Sequence, residues 1–393
     1  YGSAEFYPYT VDNVYHLKNG EKYLVLENGF INEYSYKTGK KERTVLNSAD
    51  VKIDEQSNNP LIDDFWLSDD EKKILCSYDT ERIYRRSSAS KYFIWDIENS
   101  KAFSLANEGK QRLAEFSPDG SKVAYVFNNN LYYKDLKNEN LFQITFDGEF
   151  NKIIYGATDW VYEEEFEFSK AFFWSPDGSS IAYYRFDESN VKEFTMEMYG
   201  ELYPELYKFK YPKAGEDNSI VDIYIYNLNS KKNIKVNTGE EIDQYIPWVQ
   251  WTKDSDKLSV LRMNRLQNKM ELLIADSKDG STYLAYKEEN KYYIDLTDFI
   301  LYFTEDKKNF IISNETKGYK HLYLYNIADG KLINQITKGE WEVEKLDGID
   351  EKNSVIYFTA AYSSPINRDI CSVKFDGSNF NVLSEQKGNN SAY

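Results

Sequence analysis

The amino-acid sequence predicts an all-β fold: a β-propeller with seven visible blades of an expected eight, each a four-stranded antiparallel sheet. Three observations support this prediction. Aromatic residues are abundant, with 35 Tyr, 23 Phe and 7 Trp among 393 residues, and such rings are enriched in half-buried strands. One turn motif recurs at intervals typical of propeller blades. Alternating apolar strands follow the copies of that motif.

The turn motif is clearest in two copies. Phe116-Ser117-Pro118-Asp119-Gly120 precedes the apolar run Val123-Ala124-Tyr125, and Trp174-Ser175-Pro176-Asp177-Gly178 precedes Ile181-Ala182-Tyr183. Proline fixes φ, aspartate bonds back to its own backbone and glycine accepts a positive φ. The serines of these copies are therefore predicted to be turn residues and not nucleophiles.

Looser copies of the motif begin at Trp66, Trp251 and Phe303. Between equivalent Ser or Thr positions the intervals are 49 residues (68 to 117), 58 (117 to 175), 77 (175 to 252) and 52 (252 to 304). A leading unit at about residues 16–40 and a last unit at about 348–377 bring the number of blades to seven. After residue 381 the chain resembles a closing strand. Ring closure by N-terminal strands and continuation beyond residue 393 are both open, and the polar, Gly- and Asn-rich end favours continuation.

The longest interval contains an insertion at residues 191–218. Its aromatic, methionine and proline residues make it too apolar for a disordered loop, and its irregular pattern does not match a blade: Met196, Met198, Tyr199, Tyr203, Pro204, Tyr207, Phe209, Tyr211 and Pro212. An arm that packs on another subunit or domain is predicted. The alternative is a loop folded back on its own blades.

Charge and composition exclude several classes of function. The net charge of −17 argues against nucleic-acid binding, which demands a basic surface. No apolar run approaches the roughly 18 residues that a membrane span needs, so no span is predicted in this chain. Cys76 and Cys371 lie in strand-like runs and are predicted to be packed thiols. The sequence has no Gly-rich phosphate loop, and we predict neither a cofactor nor a metal.

Catalytic groups are scarce. The chain has two histidines, His16 and His321, and no Gly-x-Ser-x-Gly nucleophile motif. A pair of facing carboxylates of the glycosidase type is an open alternative, because Asp and Glu are numerous. We expect no catalytic residue in this chain.

The most unusual stretch runs from Asp159 to Phe168. Four carboxylates fall between Glu163 and Glu167, with Trp160, Tyr162, Phe166 and Phe168 around them. A run of like charge is often a solvated face. Here the rings would anchor the acids beside an apolar region, where crowded carboxylates attract a cation. An ammonium group is the expected ligand.

Residues 158–166 (Thr-Asp-Trp-Val-Tyr-Glu-Glu-Glu-Phe), followed by the turn at 174–178, closely resemble the dipeptidyl peptidase IV family of prolyl oligopeptidase-type serine peptidases. Further similar segments lie at residues 211–215, 313–321 and 338–343, in the family's order. The resemblance covers the chain from about residue 16 to its end. The acidic motif is highly specific, whereas Ser-Pro-Asp-Gly turns occur in many propellers.

This resemblance implies a domain organisation. Residues 1–393 would be the N-terminal β-propeller domain, with a short helix at the glutamate motif and with residues 191–218 as a blade-four extension that packs in a homodimer. A C-terminal α/β-hydrolase domain, absent from this chain, would carry the Ser, Asp and His of the catalytic triad. A secreted or periplasmic location is implied in the same way.

The resemblance also implies a substrate-binding site. Glu164 and Glu165 would bind the free α-ammonium of a peptide, while Glu163 would face the short helix or its neighbours. Arg85 would lie near the substrate's carbonyl oxygens, with Arg86 as the alternative. An ammonium site at a set distance from the serine admits two residues, so dipeptides of the Xaa-Pro or Xaa-Ala type would be released from the N-terminus. Residues 292–299 supply aromatic rings but no arginine, which puts an outer subsite of the family in doubt.

Two functional hypotheses follow. In the first, the chain is the substrate-gating and N-terminus-recognising propeller of a serine exopeptidase. In the second, it is a non-catalytic propeller that binds peptides or proteins. The sequence beyond residue 393 would distinguish them, since a Gly-x-Ser-x-Gly followed by Asp and His would indicate the enzyme.

Overall fold

Four-stranded antiparallel meanders, the blades of a β-propeller, make up most of the structure, and the predicted all-β class is confirmed. The computed structural model describes residues 14–53 and 59–392. It consists of two compact units, of which the first ends at Ser219 and the second begins at Ile220. Within the described ranges there is one α-helix, α1 (Trp160–Glu165), at the glutamate motif as predicted.

The first unit begins with three regular meanders, in which each strand pairs antiparallel with the next. Their strands are β1 (Val14–His16), β2 (Lys22–Glu27), β3 (Phe30–Ser35) and β4 (Lys41–Asn47); β5 (Ile62–Leu67), β6 (Lys73–Arg82), β7 (Ser88–Asp96) and β8 (Lys101–Ser104); and β9 (Arg112–Phe116), β10 (Lys122–Phe127), β11 (Asn130–Asp135) and β12 (Leu141–Gln143). A short 3-10 turn follows β4 at Ser48–Asp50.

Apolar clusters lie between consecutive sheets. Leu24 and Ile31 of the first meander pack with Phe65, Ile74 and Phe93 of the second, and all five are buried. A second cluster joins β6 and β7 to β10. Because side chains alternate across a strand, each blade contributes one apolar face to such a cluster.

The repeated turn has the same hydrogen bonds in its two clearest copies. The hydroxyls of Ser117 and Ser175 donate to Asp119 Oδ1 at 2.6 Å and to Asp177 Oδ1 at 2.7 Å. Each hydroxyl also accepts a backbone N–H from the residue five positions later, at 3.0 Å. Gly120 has a φ of +63°, which glycine adopts without strain. The prediction that these serines are turn residues is confirmed.

The fourth repeat differs from the others. Its first strand is broken into β13 (Ile153–Tyr155) and β14 (Phe172–Trp174), which both pair antiparallel with β15 (Ser180–Asp187). Helix α1 lies between β13 and β14. It therefore interrupts the first strand of the fourth blade.

The 191–218 insertion forms a hairpin of its own, β16 (Glu193–Met198) and β17 (Glu205–Lys210). Its tip is exposed, including Leu202 and Tyr203. Its base packs on the first unit, where Phe209 is buried against Tyr84 and Tyr211 lies on Trp160, with ring centroids 5.9 and 4.3 Å apart. The base of the hairpin thus folds back on residues of its own unit, as in the alternative. Packing of the exposed tip on another subunit or domain stays a prediction.

The second unit starts with the hairpin of β18 (Ile220–Asn227) and β19 (Lys232–Lys235), which belong to the fourth repeat. Three regular meanders follow: β20 (Gln244–Trp251), β21 (Lys257–Asn264), β22 (Lys269–Asp276) and β23 (Thr282–Glu289); β24 (Leu301–Phe303), β25 (Asn309–Asn314), β26 (His321–Asn326) and β27 (Leu332–Gln335); and β28 (Val343–Asp350), β29 (Val355–Ala360), β30 (Asp369–Lys374) and β31 (Asn381–Val382). The described residues thus contain seven repeats.

The two cysteines are free and buried, as predicted. Burial raises the pKa of both thiols, that of Cys371 to about 12. Among the helices of the described residues, none is long and apolar enough to cross a membrane.

Candidate functional site

Helix α1 begins at a buried cap, Asp159. The Oδ1 atom of Asp159 accepts a hydrogen bond from the backbone N–H of Tyr162 at 2.9 Å. Its Oδ2 atom accepts another from the hydroxyl of Ser219 at 2.6 Å. Burial raises the pKa of Asp159, and these hydrogen bonds act in the opposite direction. The cap thereby satisfies an N–H group that the first helical turn leaves open.

Tyr162 anchors α1 to the rest of the first unit. Its buried ring contacts four other rings at centroid distances of 4.9 to 6.3 Å: Phe166, Phe168, Tyr184 and Phe186. Because successive helical residues are rotated by about 100°, anchoring Tyr162 determines where the following glutamates point. The aromatic anchor predicted from the sequence is therefore present.

The four carboxylates of the stretch differ in exposure. Glu163 is fully buried, the side chain of Glu164 is 17% exposed, and Glu165 and Glu167 are exposed. Among the described residues, Glu165 has no hydrogen-bond or ion-pair partner. The stretch is therefore not a uniformly solvated face.

The loop at residues 83–87, between β6 and β7, brings two arginines to this stretch. Arg85 Nε lies 3.3 Å from Glu164 Oε2, and Arg86 Nη2 lies 2.8 Å from Glu167 Oε1. The side chain of Arg85 is 73% exposed. Arg85 is thus the arginine that pairs with one of the two predicted ammonium-binding acids. Substrate binding by Glu164, Glu165 and Arg85 stays a prediction.

Glu163 makes a contact that the sequence did not reveal. Its Oε1 atom accepts hydrogen bonds from the backbone N–H groups of Arg86 at 2.7 Å and Ser87 at 2.9 Å. The expectation that Glu163 faces the neighbours of the helix was correct in direction but did not identify the 83–87 loop. That loop lies 77 residues earlier in the chain, and no local pattern marks it as the partner.

A cavity of about 250 Å³ lies beside the start of α1, lined by Tyr84, Arg112, Asp159, Glu188 and other residues. Burial raises the pKa of Glu188 to about 7; the nearby Asp159 adds to the rise and Lys210 opposes it. Burial also raises the pKa of Tyr84. The anionic forms of the acids that line this cavity are therefore disfavoured by burial.

Other reactive groups are occupied by structural contacts. His321 is buried, with its ring nitrogens 3.1 Å from Thr337 Oγ1 and 3.0 Å from the carbonyl of Gly339, and burial lowers its pKa. No group of three or more His, Cys, Asp or Glu side chains in the described ranges is arranged to hold a metal ion.

Comparison with known proteins places this chain in a family. Residues 68–393 match the family model described as Dipeptidyl peptidase IV (DPP IV) N-terminal region. The chain is also similar to the crystal structure of Porphyromonas gingivalis dipeptidyl peptidase 4, with a TM-score of 0.89 and 33% identity, over 99% of this chain and 55% of that one.

Two similar curated proteins come from fungi. The “Probable dipeptidyl-aminopeptidase B” of Tuber melanosporum is 32% identical in an alignment 351 positions long, which covers 80% of this chain and 38% of the relative. The protein of the same name from Aspergillus fumigatus is 29% identical in an alignment 378 positions long, which covers 88% of this chain and 41% of the relative. The chain thus spans about two fifths of the length of these relatives. Since the family model matches well over half of the chain, the protein belongs to the dipeptidyl peptidase IV N-terminal region family.

Proposed function

We propose that α1 and the 83–87 loop bind the free α-ammonium group of a peptide, and that the chain is the substrate-recognising propeller of a dipeptidyl aminopeptidase. The observation that carries the proposal is the arrangement of Glu164 and Glu165. One pairs with an exposed arginine at 3.3 Å, and the other is exposed without a partner among the described residues.

The local charge supports a cationic ligand. Glu164 pairs with Arg85 and Glu167 with Arg86, whereas Glu165 has no ion-pair partner among the described residues. An ammonium group bound at Glu165 would supply the missing positive charge. Hydrogen bonds between charged groups are shorter and stronger than neutral ones.

Such a site would determine how many residues of the substrate lie between its N-terminus and the bond that is cleaved. Holding the ammonium at Glu164 and Glu165, with Arg85 near the substrate's carbonyl oxygens, would leave a set length of peptide between the site and a nucleophile. Positioning of this kind contributes to catalysis by removing the entropy of alignment. Release of N-terminal dipeptides would follow from that length, and a preference for Pro or Ala at the second position would belong to the hydrolase.

Partners and location belong to the same proposal. A C-terminal α/β-hydrolase domain would supply the Ser, Asp and His, and the exposed apolar tip of the 191–218 arm is suited to a homodimer contact. A secreted or periplasmic setting is proposed from the family resemblance. Sedimentation of the full-length protein at micromolar concentration would contradict the homodimer if it gave only monomer.

The decisive experiment replaces Glu164 and Glu165 by Gln in the full-length protein. Glutamine can still accept a hydrogen bond from an ammonium group but carries no charge, which costs roughly 1–1.5 kcal/mol at each position, so we expect kcat/KM for Ala-Pro-p-nitroanilide to fall at least about 30-fold. Glu98→Gln, an exposed acid paired with Lys72, is the control. Unchanged kcat/KM in the double variant would overturn the proposal. If the full-length protein binds Ala-Pro without cleaving any peptide, the non-catalytic binding module is correct instead.

A further inference from the structure

The side chain of Glu163 is fully buried, and the burial of a carboxylate must be compensated by other interactions. Removing a charged group from water is costly unless that group is paired and hydrogen-bonded. One oxygen of Glu163 accepts two hydrogen bonds, from the backbone N–H groups of Arg86 and Ser87. Both donors lie in the 83–87 loop, so the carboxylate connects α1 to a different repeat of the fold.

Arg112, at the start of β9, supplies opposite charge on the buried side. The positive charge of Arg112 and the negative charge of Glu163 attract each other. In the described part of the chain, Arg112 Nε and Glu163 Oε2 are both buried without a hydrogen-bond partner. The guanidinium therefore compensates the carboxylate electrostatically, while the loop N–H groups determine its geometry.

The two hydrogen bonds from the loop to Glu163 restrict the position of the Arg85 backbone. The N–H of Arg86 belongs to the same planar peptide group as the carbonyl of Arg85. A carboxylate that holds this N–H therefore holds the backbone from which the Arg85 side chain extends. The ion pair of Arg86 with Glu167 adds a second link between the loop and the end of α1, but that pair is more exposed to solvent.

We propose that Glu163 is a positioning residue: without touching the peptide, it sets the distance between Arg85 and the acids Glu164 and Glu165. This inference rests on the proposed function, because it assigns Glu163 to the same substrate site. The three consecutive glutamates then have different roles. Glu164 and Glu165 act through their charge on the ligand, whereas Glu163 acts through its hydrogen bonds to the 83–87 loop.

Two conservative variants in the full-length protein distinguish the effect of the length of the Glu163 side chain from the effect of its charge. Glu163→Gln keeps the length of the side chain and an oxygen that can accept both N–H groups, but it lacks the charge. Glu163→Asp keeps the charge but is one methylene shorter, so its oxygens fall short of the loop. Misplacement of a binding group by about 1 Å can cost about 100-fold in rate.

The expected order of kcat/KM for Ala-Pro-p-nitroanilide is therefore wild type, then Glu163→Gln, then Glu163→Asp. We expect Glu163→Gln to stay within about fivefold of wild type, since its hydrogen bonds persist. Glu163→Asp should fall by about 10- to 100-fold, mainly through a higher KM, with weaker binding of the dipeptide Ala-Pro.

Thermal unfolding provides the readout that separates positioning from general stability. Glu163→Gln leaves Arg112 buried without a counter-charge, which is destabilising, so we expect it to lower the Tm more than Glu163→Asp does. If Glu163→Gln has the lower Tm but the higher kcat/KM of the two variants, the lower activity of Glu163→Asp cannot result from reduced stability of the fold.

Opposite results would overturn the inference. The inference is wrong if Glu163→Asp retains the wild-type kcat/KM. It is also wrong if the loss of kcat/KM in Glu163→Gln equals or exceeds the loss in Glu163→Asp, because Glu163 would then not act through its hydrogen bonds to the loop. These outcomes are distinct from failure of the proposed function, which is judged by the Glu164→Gln/Glu165→Gln variant in the same assay. Loss of activity in that variant, with full activity in Glu163→Asp, would reject the positioning role alone.

Discussion

The third and fourth repeats share a turn but differ in what surrounds it. In both, a serine hydroxyl donates to the aspartate two residues later and accepts the N–H five residues later. The first strand of the third repeat, β9, leads directly into this turn. The corresponding strand of the fourth repeat is interrupted by α1, and its second strand, β15, is followed by the 191–218 arm.

This difference indicates how a repeated scaffold acquires a binding site. Residues in a strand ladder have their backbone groups paired and their side chains assigned to one face or the other. An insertion releases consecutive residues from that alternation. The acids of α1 can therefore point in several directions, with Glu163 buried toward the 83–87 loop and Glu165 exposed.

The strongest test of this comparison is removal of the α1 cap by Asp159→Ala. Loss of an aspartate cap costs roughly 0.5–2 kcal/mol, and leaving the buried Ser219 hydroxyl without its acceptor costs about 1–3 kcal/mol more. We expect the free energy of unfolding to drop by about 2–4 kcal/mol, measured by urea unfolding with tryptophan fluorescence. Asparagine also caps helices, so Asp159→Asn should lose much less. Equal losses in the two variants would show that the cap does not stabilise α1.

The second test compares the shared turns directly, through Ser117→Ala and Ser175→Ala. Each variant loses at least two hydrogen bonds, so we expect both to lower the free energy of unfolding by about 1–2 kcal/mol. Peptidase activity of the full-length protein should remain within about twofold of wild type in both, because each serine is a turn residue. A selective loss of activity in Ser175→Ala would mean that this copy of the turn has acquired a catalytic role.

The third test concerns the buried acid beside α1, and its effect depends on pH. Because burial raises the pKa of Glu188 from its ordinary 4.5 to about 7, the folded protein prefers the protonated form. The stabilisation that protonated Glu188 gives the folded state is therefore complete below about pH 4.5, and it is lost as the pH rises toward 7. Glu188→Gln, which stays neutral, should therefore have a higher Tm than wild type at pH 8. The difference should shrink as the pH falls to 5.

A Tm difference that is independent of pH between 5 and 8 would contradict the raised pKa of Glu188. Ser189→Ala, a neutral neighbour, serves as the control and should show the same pH dependence as wild type. A different balance holds for Asp119 in the turn of the third repeat, where hydrogen bonds lower the pKa to about 2 despite partial burial.

Much of the fold was predictable because its determinants are local. Pro118, Asp119 and Gly120 set a turn within a few residues, and the alternation of strands such as β10 needs no distant partner. The break in the first strand of the fourth repeat was less accessible, since β13 has three residues and pairs with β15 from across an insertion. Its short length gives too little alternation for recognition in the sequence.

The repeats, the turn chemistry, the family resemblance and the acidic stretch could all be recognised in the sequence, because each depends on residues that are close together in the chain. The partner of Glu164 and the contacts of the buried Glu163 became clear only in the folded protein, because these contacts join α1 to a loop 77 residues earlier. Their hydrogen bonds depend on atoms that meet only after the blades have packed.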